Sequence, residues 1–116
     1  MNYETARKFL IAQTKPTEKN PDGLLMYMQR GKPPIPGQIT SILLALKSVY
    51  GELQDAPTLD KELVCALYTL SIKTQQLFTA GQKAGVEWPP LFKEDLLRIM
   101  IAVENIFFGK RQTSQS

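Results

Sequence analysis

The sequence predicts an all-α protein: a small helical bundle of three long helices, preceded by one or two short N-terminal helices and an extended proline-rich connector. Three observations predict it. Apolar residues recur at steps of three and four along three long segments, a spacing that draws one stripe on a helix and cannot occupy one face of a strand. Prolines fall between those segments: Pro33, Pro34 and Pro36 before the first, Pro57 before the second, Pro89 and Pro90 before the third. A chain of 116 residues, 43% hydrophobic and 22% charged, has the size and composition of one globular domain.

Taken in order, residues 2–13 predict a short helix with Phe9, Leu10 and Ile11 partly buried, and the loop TKPTEKNPDG follows. Asp22 is placed to cap a two-turn helix carrying Leu24, Leu25, Met26, Tyr27 and Met28. The stretch RGKPPIP (Arg30 to Pro36) comes next. Its Arg-x-x-Pro-x-x-Pro spacing suits a ligand of proline-reading domains, which would require an exposed polyproline face, with Ile35 not packed down. The favoured reading is architectural: a stiff lead-in that sets Pro36 in the first turn of the helix that follows.

That helix spans residues 36–54, with Ile39, Ile42, Leu43, Leu46, Val49, Tyr50 and Leu53 on its stripe. The second long helix starts near Thr58 as N-cap, with Asp60 and Glu62 in its first turn. Its stripe is Leu59, Leu63, Ala66, Leu67, Leu70 and Leu77, and Val64, Tyr68 and Ile72 on another side predict a helix packed between two neighbours. The third spans residues 90–108, with Phe92, Leu96, Ile99, Val103 and Ile106 on one line and Gly109 just past the end. Leu97, Met100, Ile101, Phe107 and Phe108 make it more apolar than one antiparallel neighbour can cover. The organisation is one domain: a basic arm (1–38), a three-helix core (39–109) and a polar tail (110–116).

The net charge is +3, but it is unevenly placed: residues 1–38 carry +3, residues 39–109 carry −2 and residues 110–111 carry +2. Lys15, Lys19, Arg30 and Lys32 are the candidates for a basic patch that neutralises phosphates. Interleaved acids and the lack of an aromatic ladder disfavour nucleic acid as a partner. The chain has no histidine, which removes imidazole-activated nucleophiles, histidine bases and Cys/His zinc sites together. Glu94 and Asp95 are assigned to the start of a helix rather than to a carboxylate pair. No catalytic, cofactor-binding or metal-binding residue is predicted, and no cofactor is expected.

Cys65 is expected to be buried among Leu63, Val64, Ala66 and Leu67. Lys47, Glu62, Lys73, Arg98 and Glu104 interrupt every apolar run, so no membrane span and a cytoplasmic location are expected. Candidate contact residues are Leu24, Leu25, Met26, Tyr27 and Met28, which either pack on the body or face a partner, together with Trp88, Phe107 and Phe108. Trp88, beside two prolines, is favoured as a plug closing the end of the bundle. The expected function is a non-enzymatic protein-interaction or adaptor module that forms a homodimer through apolar helix faces. The alternatives are a nucleic-acid-associated accessory protein and a small all-α enzyme built on Arg and Glu.

Overall fold

The computed structural model describes residues 1–15 and 23–109, and all regular structure among them is helical. Helix α1 (Tyr3–Ala12) starts at Asn2, whose side chain accepts the Thr5 N–H at 2.8 Å. Helix α2 (Leu24–Gln29) is short, α3 spans Gln38–Leu53, and α4 spans Lys61–Tyr68. A π turn over Thr69–Lys73 joins α4 without a break to α5 (Thr74–Lys83), and α6 runs over Phe92–Phe108. The expected Asp22 cap lies outside the described residues.

Local chemistry moves three helix starts from their expected places. Pro36 is not in the first turn of α3, because Gly37, at φ +84°, takes the capping position in a left-handed conformation that glycine adopts without strain. Asp60, not Thr58, caps α4: its carboxylate accepts the Leu63 N–H at 2.9 Å. Pro89 and Leu91 supply the carbonyls that receive the first N–H groups of α6, so that helix begins two residues after Pro90. At its other end Gly109, at φ +72°, terminates α6 as expected.

A single apolar cluster fills the interior. Ala6 and Leu10 of α1 are completely buried in it beside Ile42, Ala45, Leu46 and Val49 of α3 and Leu63 and Leu67 of α4. Each large aliphatic side chain buried this way stabilises the fold by about 1.5–3 kcal/mol. The most extensive helix contacts are α1 with α3 and α3 with α6, and α1 also packs on α4. The N-terminal helix is thus seated in the core rather than laid across it. Its Arg7 guanidinium donates to both Asp60 oxygens, at 2.9 and 3.2 Å, and to Glu62 at 3.0 Å, tying α1 to the start of α4.

The π turn corrects the expected stripe of the α4–α5 rod. Thr74 N–H bonds the Thr69 carbonyl five residues back, and the Thr74 hydroxyl donates at 2.6 Å to Leu70 O, the acceptor its own N–H would have in an α-helix. A turn that closes one residue late rotates everything beyond it by about one position. Phe78 therefore enters the core where Leu77 was expected, and Leu77 is only half-buried. Nor is the rod covered on two sides: Tyr68 and Ile72 are exposed, because its partners α1, α2 and α6 leave that side open.

Two buried glutamines join α1, α2, the connector and α3. Gln13 Oε1 accepts the Leu24 N–H at 3.1 Å and the Gln38 Nε2–H at 2.9 Å, while Gln38 Oε1 accepts the Ile35 N–H at 3.1 Å. The Gln13 carbonyl takes the Leu25 N–H at 3.0 Å. Gly23 lets the two backbones approach this closely: a Cβ there would lie 2.5 Å from Ala12 O and 2.8 Å from Gln13 Cα.

Candidate functional site

The outward face of α6 follows directly from the stripe it buries. Phe92, Leu96, Ile99, Val103 and Ile106 are all buried, so Leu97, Ile101, Glu104 and Phe108, at steps of four, three and four, form a line on the opposite side. Phe108 is 65% exposed, and Leu97, Ile101 and Phe107 are exposed to 41–44%. Charge is present both beside and within this line: Arg98, at its edge, is exposed and its Nη1 pairs with Asp95 at 3.2 Å, and Glu104, within it, is half-buried.

The α4–α5 rod runs antiparallel beside α6 and extends the apolar surface. Gln75 Nε2 reaches Met100 Sδ at 3.1 Å, and Val64 lines a groove with Ile106, Phe107 and Phe108. These two contacts set Gln75 beside Met100 and Val64 beside the last turn of α6. The groove at the far end, of about 370 Å³, is closed by Leu53, Pro57 and Leu59. Phe107 and Phe108 therefore border this groove, while Leu97 and Ile101 share the outward face of α6 with Phe108, and Tyr68 and Ile72 are exposed on the rod.

The other expected contact residues are placed differently. Leu24 and Met28 are buried in the core, while Leu25, Met26 and Tyr27 are half-buried, so the run packs on the body through one side of α2. Trp88 is half-buried in an aromatic cluster: its ring stacks on Phe78 with centroids 5.9 Å apart, tilts against Phe92 at 5.5 Å, and its Nε1–H donates to the Phe78 carbonyl at 3.0 Å. That is the geometry of a plug over the α5–α6 end. A shallow groove of about 640 Å³ beside it is lined by Gln82, Val86, Glu87, Pro90 and Lys93.

The basic candidates do not converge. Lys15 lies 3.8 Å from the Glu62 carboxylate, which also receives Arg7, so acids of α4 meet the positive charge of the arm. Arg30 and Lys32 are exposed at the far end of α2, and Lys19 lies outside the described residues. Hydrogen bonds from Arg7 and from the Leu63 N–H hold the Asp60 carboxyl below its usual range, and the same pairing raises the Arg7 guanidinium.

Cys65 is exposed, contrary to expectation. The buried positions of α4 are Leu63, Ala66 and Leu67, and Cys65 falls on the opposite side of the helix, so apolar neighbours in sequence are not its neighbours in space. Ile35 is 51% exposed and borders a cavity of about 260 Å³ with Phe9, Gln13 and Ser41. Among the described residues no group of acids, cysteines or histidines is gathered as a metal site requires, and no helix is long and apolar enough to cross a membrane. Comparison with known proteins finds no matching family model, no matching curated protein and no matching solved structure.

Proposed function

We propose that the protein is a non-enzymatic interaction module, a cytoplasmic homodimer that self-associates through the outward face of α6. In this reading α3, the α4–α5 rod and α6 form a bundle whose task is to carry that face. The observation that supports it is the exposed apolar line Leu97, Ile101 and Phe108, with Phe107 beside it on α6. An exposed patch of large aliphatic and aromatic side chains at helical spacing is what an interface core presents before it is covered.

A second copy is the proposed occupant: an antiparallel two-fold pairing of α6 with its copy would set Ile101 at the axis and bury the apolar line between the two helices.

Light scattering across a micromolar concentration series tests the reading. The dimer mass is expected for the parent, and Ile101→Asp is expected to give monomer with an unchanged melting transition when dilute, since Ile101 supports nothing inside its own chain. Monomer mass for the parent at every concentration would remove the proposal.

A further inference from the structure

The connector between α2 and α3 is exposed along most of its length and held in place at both ends. Its backbone has little freedom: Pro33, Pro34 and Pro36 fix their own φ angles, and Lys32, Pro33 and Ile35 each precede a proline and are thereby biased to extended geometry. A polyproline helix repeats every three residues and so has three edges. Along Lys32–Pro36 the third edge holds only Pro34, which is half-buried, whereas Lys32 and Ile35 on one edge and Pro33 and Pro36 on the next are exposed, Ile35 and Pro36 also bordering a cavity of about 260 Å³ with Phe9, Gln13 and Ser41.

Both N–H groups of the segment are used internally. Lys32 N–H donates to the Tyr27 carbonyl at 2.8 Å, and Ile35 N–H donates to Gln38 Oε1 at 3.1 Å, within the buried glutamine pair. Among the described residues no donor reaches the carbonyls of Pro33 and Pro34. The stretch thus presents acceptors and apolar rings outward, in a conformation already fixed.

We infer that Lys32–Pro36 is a preformed docking edge for a second protein, one whose aromatic-lined groove reads polyproline helices. Such grooves take two X–Pro pairs, one per turn, and hydrogen-bond the ligand's carbonyls with side-chain donors. Lys32-Pro33 and Ile35-Pro36 are two such pairs, three residues apart and side by side on the open edges. Gly31, at φ +71°, turns Arg30 out of the repeat, so the charge that orients the segment is the Lys32 ammonium, and the groove carries a carboxylate at that end. Anchoring at Tyr27 and Gln38 removes the ordering entropy that a free proline peptide loses on binding. This edge lies on the connector and not on α6, so it stands or falls independently of self-association.

Nuclear magnetic resonance of the labelled full-length chain, titrated with a panel of isolated SH3 and WW domains, tests the inference. Binding by at least one panel member is expected, with shift changes centred on residues 31–38. Ile35→Asp and Pro33→Ala should each weaken it by about tenfold or more, and Pro34→Ala, on the inward edge, should weaken it far less. Ile35→Asp leaves every proline and the Ile35 N–H in place, so its melting temperature should match the parent and its loss of binding cannot be ascribed to unfolding. Absence of binding across the panel, shift changes elsewhere on the molecule, or equal losses for the inward and outward edges would each overturn the proposal.

Discussion

Two of the proline-containing segments that enter helices in this molecule are secured by opposite physics. The connector before α3 is held by the Ile35 N–H donating to the buried Gln38, whose amide in turn donates to the buried Gln13. The loop before α6 is held by the face of Trp88 lying against Phe78, Phe92 and the backbone of Gly81, where a Cβ would fall 2.5 Å from the indole ring. An aromatic joint gains from area and tolerates small displacements, whereas a polar joint gains little net energy but is costly when any one partner is missing. The first fixes strength and the second fixes position. A segment that must present a defined edge to solvent is better served by the second.

The largest effect is expected at the aromatic joint. Trp88→Ala should destabilise the fold by about 3 kcal/mol, read as a lower midpoint in urea, because it removes an aromatic side chain that packs against the core. An effect below that of the polar joint would reverse the ranking drawn here. Gln13→Leu comes next, at about 2 kcal/mol, since it leaves the Leu24 N–H and the Gln38 amide without an acceptor. Its diagnostic is faster hydrogen exchange at Leu24 and Ile35, with α6 amides unchanged. Exchange at α6 rising equally would show that the joint is not local.

Acidification should have the smallest effect of the three. The folded Asp60 carboxyl titrates below its ordinary value, so the Arg7–Asp60 tie contributes its full stability above about pH 4 and loses it as pH falls through the lower folded value. The pair is partly exposed, so no more than about 1 kcal/mol is expected. Comparing the parent with Asp60→Asn between pH 5 and pH 2 checks it: the variant should lack this component of the acid dependence. The aromatic joint has no titrating group and should be indifferent to the same change.

Where residues repeat with regular helical spacing, the structure was legible in the sequence. All five residues of the α6 stripe are buried, and the surplus apolar residues Leu97, Ile101, Phe107 and Phe108 stay exposed. Legibility failed where the period is broken or where the decisive partner is distant. Nothing in a count of three and four announces the π turn, so Leu77 stood in for Phe78. Gln13 and Gln38 are separated by 25 positions, and glutamine carries no local sign of burial. Asp60 and Thr58 are both good caps, and what distinguishes Asp60 is Arg7, far away in sequence.

The π turn also bears on which changes of chain length the protein can accept. Loss of one residue inside a helix ordinarily swings every later side chain by a quarter turn or more, with the whole downstream face misdirected. Here Thr69–Lys73 already accommodates one residue beyond the α-helical count, so removing the exposed Ile72 should let the rod close as an ordinary α-helix with Phe78 still pointing inward. A deletion of Ile72 is thus expected to keep Trp88 fluorescence and melting close to the parent, while deletion of Gln76, one turn beyond, should unseat Phe78 and lose both. The rod carries spare length at one point, and insertions and deletions between related chains would be expected to collect there.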